Sequence, residues 1–130
     1  MGKVYVHAQE FQDLFEQLFD EIANDDAMST LVDQEMVIRF RLRDPDVDLW
    51  VDGTAMPVTT SFAPLDLEPT LVARLTTDSL HELLLGTLPL GRALLLRKLK
   101  VDGAKSKAMK LEPLLHAMQR TYPDLAADRS

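Results

Sequence analysis

The chain has 130 residues, 14 lysines and arginines against 21 aspartates and glutamates, and no cysteine, for a formal net charge of −7. That length fits one domain rather than two complete ones, and the 46% apolar and 27% charged shares exclude wholesale disorder. The acidic balance argues against general nucleic-acid binding, which needs a basic footprint; the missing cysteine excludes disulfides, thiolate metal sites and cysteine nucleophiles.

The first element is an amphipathic helix. Phe11, Leu14, Phe15, Leu18, Phe19 and Ile22 repeat at helical spacing, with Asp13, Glu16, Asp20 and Glu21 on the other face. A hairpin follows. Ile38, Phe40 and Leu42 alternate with Arg39, Arg41 and Arg43, the turn is Asp44-Pro45-Asp46-Val47, and Leu49 and Val51 alternate with Asp48, Trp50 and Asp52. Pairing Arg43 with Asp48 sets a register in which Leu42 faces Leu49, Phe40 faces Val51, Arg41 faces Trp50 and Arg39 faces Asp52. It predicts a solvated, charge-paired face. A weaker third strand spans Met56 to Ala63 between two prolines, and Leu71, Ala73 and Leu75 mark a fourth. Thr77, or Ser79 with Glu82, can cap a short helix ending at Gly86. Pro89 suits the first turn of another helix through Leu96. Leu99 and Val101 belong to a fifth strand closed by Asp102-Gly103, and Leu111, Leu114, Leu115 and Met118 stripe a final helix that Pro113 is expected to kink or restart. Residues 1–9 and 126–130 are expected to fray. The order implies a mixed α+β domain over 1–130, with a five-stranded, largely antiparallel sheet covered by helices.

Motifs for chemistry are missing. There is no G-x-S-x-G, Walker loop or G-x-G-x-x-G. His7, His81 and His116 lack metal-ligand spacing. Asp44-x-Asp46-x-Asp48 departs from a calcium loop at Leu49 and Ala55, where glycine and glutamate are needed. No catalytic residue, metal or cofactor is expected. No stretch approaches the ~20 apolar residues of a membrane span, Met1–Glu10 reads as no secretory signal, and Asp128-Arg129-Ser130 reads as no peroxisomal address. A cytoplasmic protein is therefore expected.

Two compositional biases remain. Ten of 23 leucines lie between Leu80 and Leu99, and Arg92 to Lys110 carries seven basic residues against one acid, so +6 there leaves −13 elsewhere. Leu83-Leu84-Leu85 and Leu94-Leu95-Leu96 are apolar all round two short helices. Such helices are either buried on several sides or border a cavity that an apolar molecule fills.

The run Leu71-Val72-Ala73-Arg74-Leu75-Thr76-Thr77-Asp78-Ser79-Leu80, then Leu84-Leu85-Gly86-Thr87-Leu88, Ala93-Leu94-Leu95, Leu99-Lys100-Val101-Asp102-Gly103 and Ala108-Met109-Lys110-Leu111, resembles the sterol carrier protein type 2 family over roughly Phe11 to Met118. It departs from the family pattern at Arg97-Lys98, where Gly-Lys often opens the last strand. The resemblance implies helices on one face of a five-stranded sheet, an apolar tunnel between them, and non-catalytic binding and transfer of a fatty acid, fatty acyl-CoA, phospholipid or sterol-like lipid. In this chain the tunnel lining would come from Phe15, Leu18, Phe19, Leu83, Leu84, Leu94, Leu95, Leu111, Leu115 and Met118. Arg92, Arg97, Lys98 and Lys100 would steer an anionic head group or a transient anionic membrane surface. The chain would be a monomer or homodimer. Two other readings stay open: an interaction or dimerisation module using the Phe11–Ile22 stripe or an incompletely covered sheet, and an accessory domain presenting an apolar substrate to an enzyme.

Overall fold

The computed structural model describes residues 4–103 and 109–127. Lys105, Lys107 and Ala108 of the basic segment and family pattern, and residues 1–3 and 128–130 of the ends, lie outside the described residues. Helix α1 (Ala8–Glu21) buries Phe11, Leu14, Phe15, Leu18 and Phe19, with Ile22 buried at its end. The stripe is thus spent on this chain's own core, which removes the reading that it docks a partner. Helix α2 (Asp26–Asp33) was not expected from the sequence: its eight residues bury only Ala27, Met28 and Leu31, too short a stripe for a clear period. Its start is made by Asp25, whose carboxylate accepts the Ala27 N–H at 2.9 Å and also pairs with Arg120. The Ala27 N–H, and after it Arg120, hold the Asp25 carboxyl below its ordinary value.

The sheet comprises β1 (Val37–Arg43), β2 (Val47–Asp52), β3 (Thr59–Ser61), β4 (Leu71–Thr76) and β5 (Lys100–Gly103) in the order β3-β2-β1-β4-β5. All neighbours are antiparallel except β1 and β4, which run parallel. The hairpin register is two residues from the expected one: Leu42 faces Val47, Phe40 faces Leu49, Ile38 faces Val51, Arg41 faces Asp48 and Arg39 faces Trp50. The physical reason is Val47. The expected register leaves it in the turn, whereas the observed one buries it against Leu42 and gives Ile38 an apolar partner. Asp44 adopts φ 60°, a left-handed turn conformation that Asp tolerates. Because the slip is an even number of residues, the faces are unchanged. Strand β3 is only Thr59–Ser61, inside the longer expected span.

Helix α3 (Thr77–Leu85) is capped by Thr76, whose hydroxyl accepts the Ser79 N–H at 3.0 Å, so the cap lies one residue before the expected Thr77. The Thr77 hydroxyl instead donates to the Asp44 carbonyl at 2.6 Å, tying α3 to the hairpin turn. Gly86 ends α3 at φ 82°, and Pro89 precedes α4 (Leu90–Leu95). Helix α5 (Leu111–Leu125) packs against α1, α2 and α3. Pro113 is its third residue, so it neither kinks nor restarts the helix: the first-turn N–H groups have no intrahelical partner to lose. Of the ends expected to fray, Tyr5 and Ala126 are buried instead.

The helices bury Ile38, Phe40, Leu42, Leu49, Val51, Leu71, Ala73 and Leu75 on one sheet face, in one apolar core. Gly53 sits where a Cβ would lie 2.6 Å from the Met36 carbonyl oxygen, while a Cβ on Gly91 meets nothing within 4 Å. Gly53→Ala is therefore expected to lower stability by about 1–3 kcal/mol, and Gly91→Ala to raise it by about 0.5–1 kcal/mol through helix propensity. Urea denaturation of both variants checks the pair.

Candidate functional site

The candidate site is the space where α3, α4 and α5 meet. A cavity of about 320 Å³ is lined by Leu83 of α3, Leu90 and Gly91 of α4 with the preceding Pro89, and Glu112, Leu115, His116 and Gln119 of α5. The Gln119 side-chain amide donates to the Leu83 carbonyl at 2.8 Å and links α5 to α3 across it. A second cleft, about 410 Å³, shares Glu112 and His116 and adds Met109, Lys110 and Pro113. Both volumes fall within the range of small-molecule sites. One flank is apolar, and Glu112, His116 and Gln119 supply polar groups at the opening.

The ten expected lining residues divide. Phe15, Leu18, Phe19, Leu83, Leu84, Leu111, Leu115 and Met118 are packed together in the core, and only Leu83 and Leu115 of them reach the cavity. Leu94 and Leu95 are 42% and 82% exposed, and the adjoining Leu96 is 53% exposed. The steering candidates Arg92, Arg97, Lys98 and Lys100 are also exposed, the first three in or just after α4. Sequence reading missed Pro89, Leu90, Gly91, Glu112, His116 and Gln119. A signal existed for the last three. Residues 112, 115, 116 and 119 fall at i, i+3, i+4 and i+7, a mixed stripe beside the fully apolar one at 111, 114, 115 and 118.

Behind the cavity lies a buried polar cluster. The Tyr5 and Tyr122 hydroxyls are 2.7 Å apart, and His81 Nδ1 is 2.6 Å from the Tyr122 hydroxyl. Tyr5, Phe11, Phe15 and Tyr122 surround it as an aromatic cluster, with Phe11 and Phe15 stacked at 3.9 Å. Burial lowers the His81 pKa, against a smaller opposing pull from Asp78 and Glu82. Among the described residues no three His, Asp or Glu side chains gather to hold a metal ion, and no helix is long and apolar enough to cross a membrane.

The SCP-2 sterol transfer family profile matches residues 11–116, and the chain belongs to that family. No protein with a curated description matches the sequence. The fold is similar to sterol carrier protein 2 from Yarrowia lipolytica in its apo form, at 17% identity and TM-score 0.64 over 84% of this chain and 89% of that one. It is equally similar to the sterol carrier protein domain 2 of Helicoverpa armigera, at 16% identity and TM-score 0.66 over 85% and 87%. It is also similar to part of the stereoselective inverting sec-alkylsulfatase Pisa1 from Pseudomonas sp., at 19% identity and TM-score 0.55, over 69% of this chain but only 14% of that one.

His81 gives the cluster a pH signature. Its folded pKa lies below the ordinary 6.5, so below pH 6.5 the unfolded chain binds more protons. The stability contributed by neutral His81 is present above that pH and is lost as pH falls through the folded value. Thermal unfolding between pH 7.5 and 5 should show this loss, and H81F should flatten it. Y122F removes the shared hydroxyl and is expected to cost about 1–3 kcal/mol at pH 7.5.

Proposed function

We propose that this protein binds an apolar lipid between α3, α4 and α5, with α4 as the movable wall, and passes it on without chemistry. The observation that carries this reading is α4 itself. Its only fully buried side chain is Ala93, its Leu90 borders the cavity, and Leu94 and Leu95 with the following Leu96 face solvent. A helix with so little buried surface opens at low cost. Outward movement of α4 would extend the cavity toward Leu84, Leu111 and Met118, and beyond them to Phe15, Leu18 and Phe19. The exposed leucines would then meet the ligand or a membrane instead of water. Arg92, Arg97 and Lys98 flank these leucines, so an anionic head group or leaflet is the complementary surface, at ~1 kcal/mol per basic residue. The polar mouth at Glu112, His116 and Gln119 suits an amphiphile with one polar end. Fatty acids, fatty acyl-CoAs, phospholipids and sterol-like molecules all meet that description. Non-catalytic binding is the reading these residues favour, because among the described residues no Ser, Thr or Cys lines the cavity beside Glu112 and His116. We place the protein in the cytoplasm, as a monomer or homodimer.

A second reading has its own support. The fold recurs as a minor part of an alkylsulfatase chain, which fits an accessory domain that presents an apolar substrate to an enzyme. The same cavity would serve in both cases.

A fluorescent fatty acid tests the site. The wild-type chain is expected to bind it at micromolar concentration, and L90W, which fills the cavity from a half-buried position, should weaken binding about tenfold. V6W, at an exposed site outside the cavity lining, should leave affinity unchanged. Absence of binding at about 100 µM, a free energy near −5 kcal/mol, refutes the lipid reading. Lipid transfer between vesicles by the isolated chain separates carrier from accessory domain.

A further inference from the structure

The sheet face turned away from the helices carries a charge pattern that lipid binding does not use. Strands β1, β4 and β5 are neighbours, and at one register level Arg41 is opposite Arg74 and Arg74 is opposite Lys100. Strand spacing is ~4.8 Å, so three cations form a row across three strands, with Arg43 two residues further along β1 on the same face. All four are exposed. Like charges directly opposite one another destabilise a sheet.

The acids on this face offset the row only in part. Asp48 accepts from Arg39 Nε and Nη2 at 2.9 and 2.8 Å, and Arg39 also lies 5.0 Å over the Trp50 ring; Asp48 is opposite Arg41 as well and feels its charge, without an ion pair between them. Asp102 reaches Arg74 only at 3.4 Å, with both side chains about half exposed. Arg41 and Arg43 have no ion pair among the described residues. The expected charge-paired face thus holds closely at Arg39, loosely at Arg74 and by opposition only at Arg41. A cleft of about 530 Å³ opens over this surface, lined by Arg39, Arg41, Arg43 and Arg74 together with Asp46, Asp48, Leu42 and Val47, so four cations meet two acids there.

We propose that this cleft is an anion site for a multiply charged phosphate group, clamped by Arg41 and Arg74 and flanked by Arg43 and Lys100. Arginine stays charged at every accessible pH, and its planar fork engages two oxyanion oxygens at once. Two such forks on adjacent strands can approach one tetrahedral group from different sides. The bound anion would relieve the repulsion along the row. In a chain of net charge −7, this local positive field also selects an anion's approach. The site is on the opposite sheet face from the proposed lipid cavity and stands or falls apart from it. The phosphate can come from a free phosphoanhydride or from a lipid head group in a bilayer.

The test uses the full chain, with inorganic pyrophosphate as one probe and phosphatidylcholine vesicles containing about a quarter phosphatidic acid as the other. Arginine Nε resonances report pyrophosphate binding, and sedimentation reports vesicle binding. R41Q/R74Q is compared with Q17E/S29E, which lowers the net charge by the same two units at exposed positions of α1 and α2, outside both proposed sites. Saturable shifts of the Arg41, Arg43 and Arg74 signals, weakened about tenfold by R41Q/R74Q and less than about twofold by Q17E/S29E, support the site. Vesicle binding with the same dependence assigns the phosphate to a lipid head group; pyrophosphate binding without it assigns a free ligand. Absence of both, or equal weakening by the two double variants, overturns the proposal.

Discussion

Strand β1 must satisfy two opposite environments at once, and the rest of the molecule follows from how it does so. Ile38, Phe40 and Leu42 enter the core while Arg39, Arg41 and Arg43 remain on the other side. As the middle strand of the sheet, β1 meets β2 on one edge and β4 on the other. A shift by one residue would place three arginines among Leu49, Leu71 and Leu75, at a desolvation cost of several kcal/mol per charge. The register is therefore fixed by burial on one face and by charge on the other. It gives the helices an apolar floor and lines up Arg41 with Arg74 across the parallel pair.

The helices on that floor are unequal, and the proposed function rests on that inequality. Helices α1 and α5 bury full stripes and meet through the aromatic cluster around Tyr5, Tyr122 and His81. Helix α4 has six residues and little beneath it. Stability is concentrated in α1, α3, α5 and the sheet, while the apolar surface left in water is concentrated at α4. That distribution suits a binding protein whose opening must be inexpensive while its scaffold stays rigid. On the two proposals the sheet faces divide the ligand chemistry: apolar molecules on the helix side, anions on the open side.

Much of this was legible in the sequence because burial imposes a period. The six-residue stripe of α1, the alternation in β1 and β2, the glycine at the end of α3 and the proline before α4 each have one physical reading, and membership of the SCP-2 sterol transfer family agrees with the element order. What the sequence could not show is decided by contacts far apart in the chain. The hairpin slipped by two because Val47 gains a partner in Leu42, and alternation cannot distinguish even shifts. Helix α2 buries only Ala27, Met28 and Leu31, and its cap residue Asp25 is held from the far end of the chain by Arg120, 95 positions away. The cavity wall at Glu112, His116 and Gln119 leaves no mark in the apolar periodicity because these residues are polar. The arginine row is hidden because β4 lies beside β1 only after the chain has passed through β2 and β3.

The central claim is that an apolar ligand enters between α3, α4 and α5. Leucine-methyl NMR with a spin-labelled stearate tests it directly, since broadening falls steeply with distance from the label. The account predicts saturable broadening at Leu83, Leu90 and Leu115, with slower spread to Leu84 and Leu111 as α4 opens. Broadening confined to surface leucines away from α4, or none at saturating stearate, would contradict it.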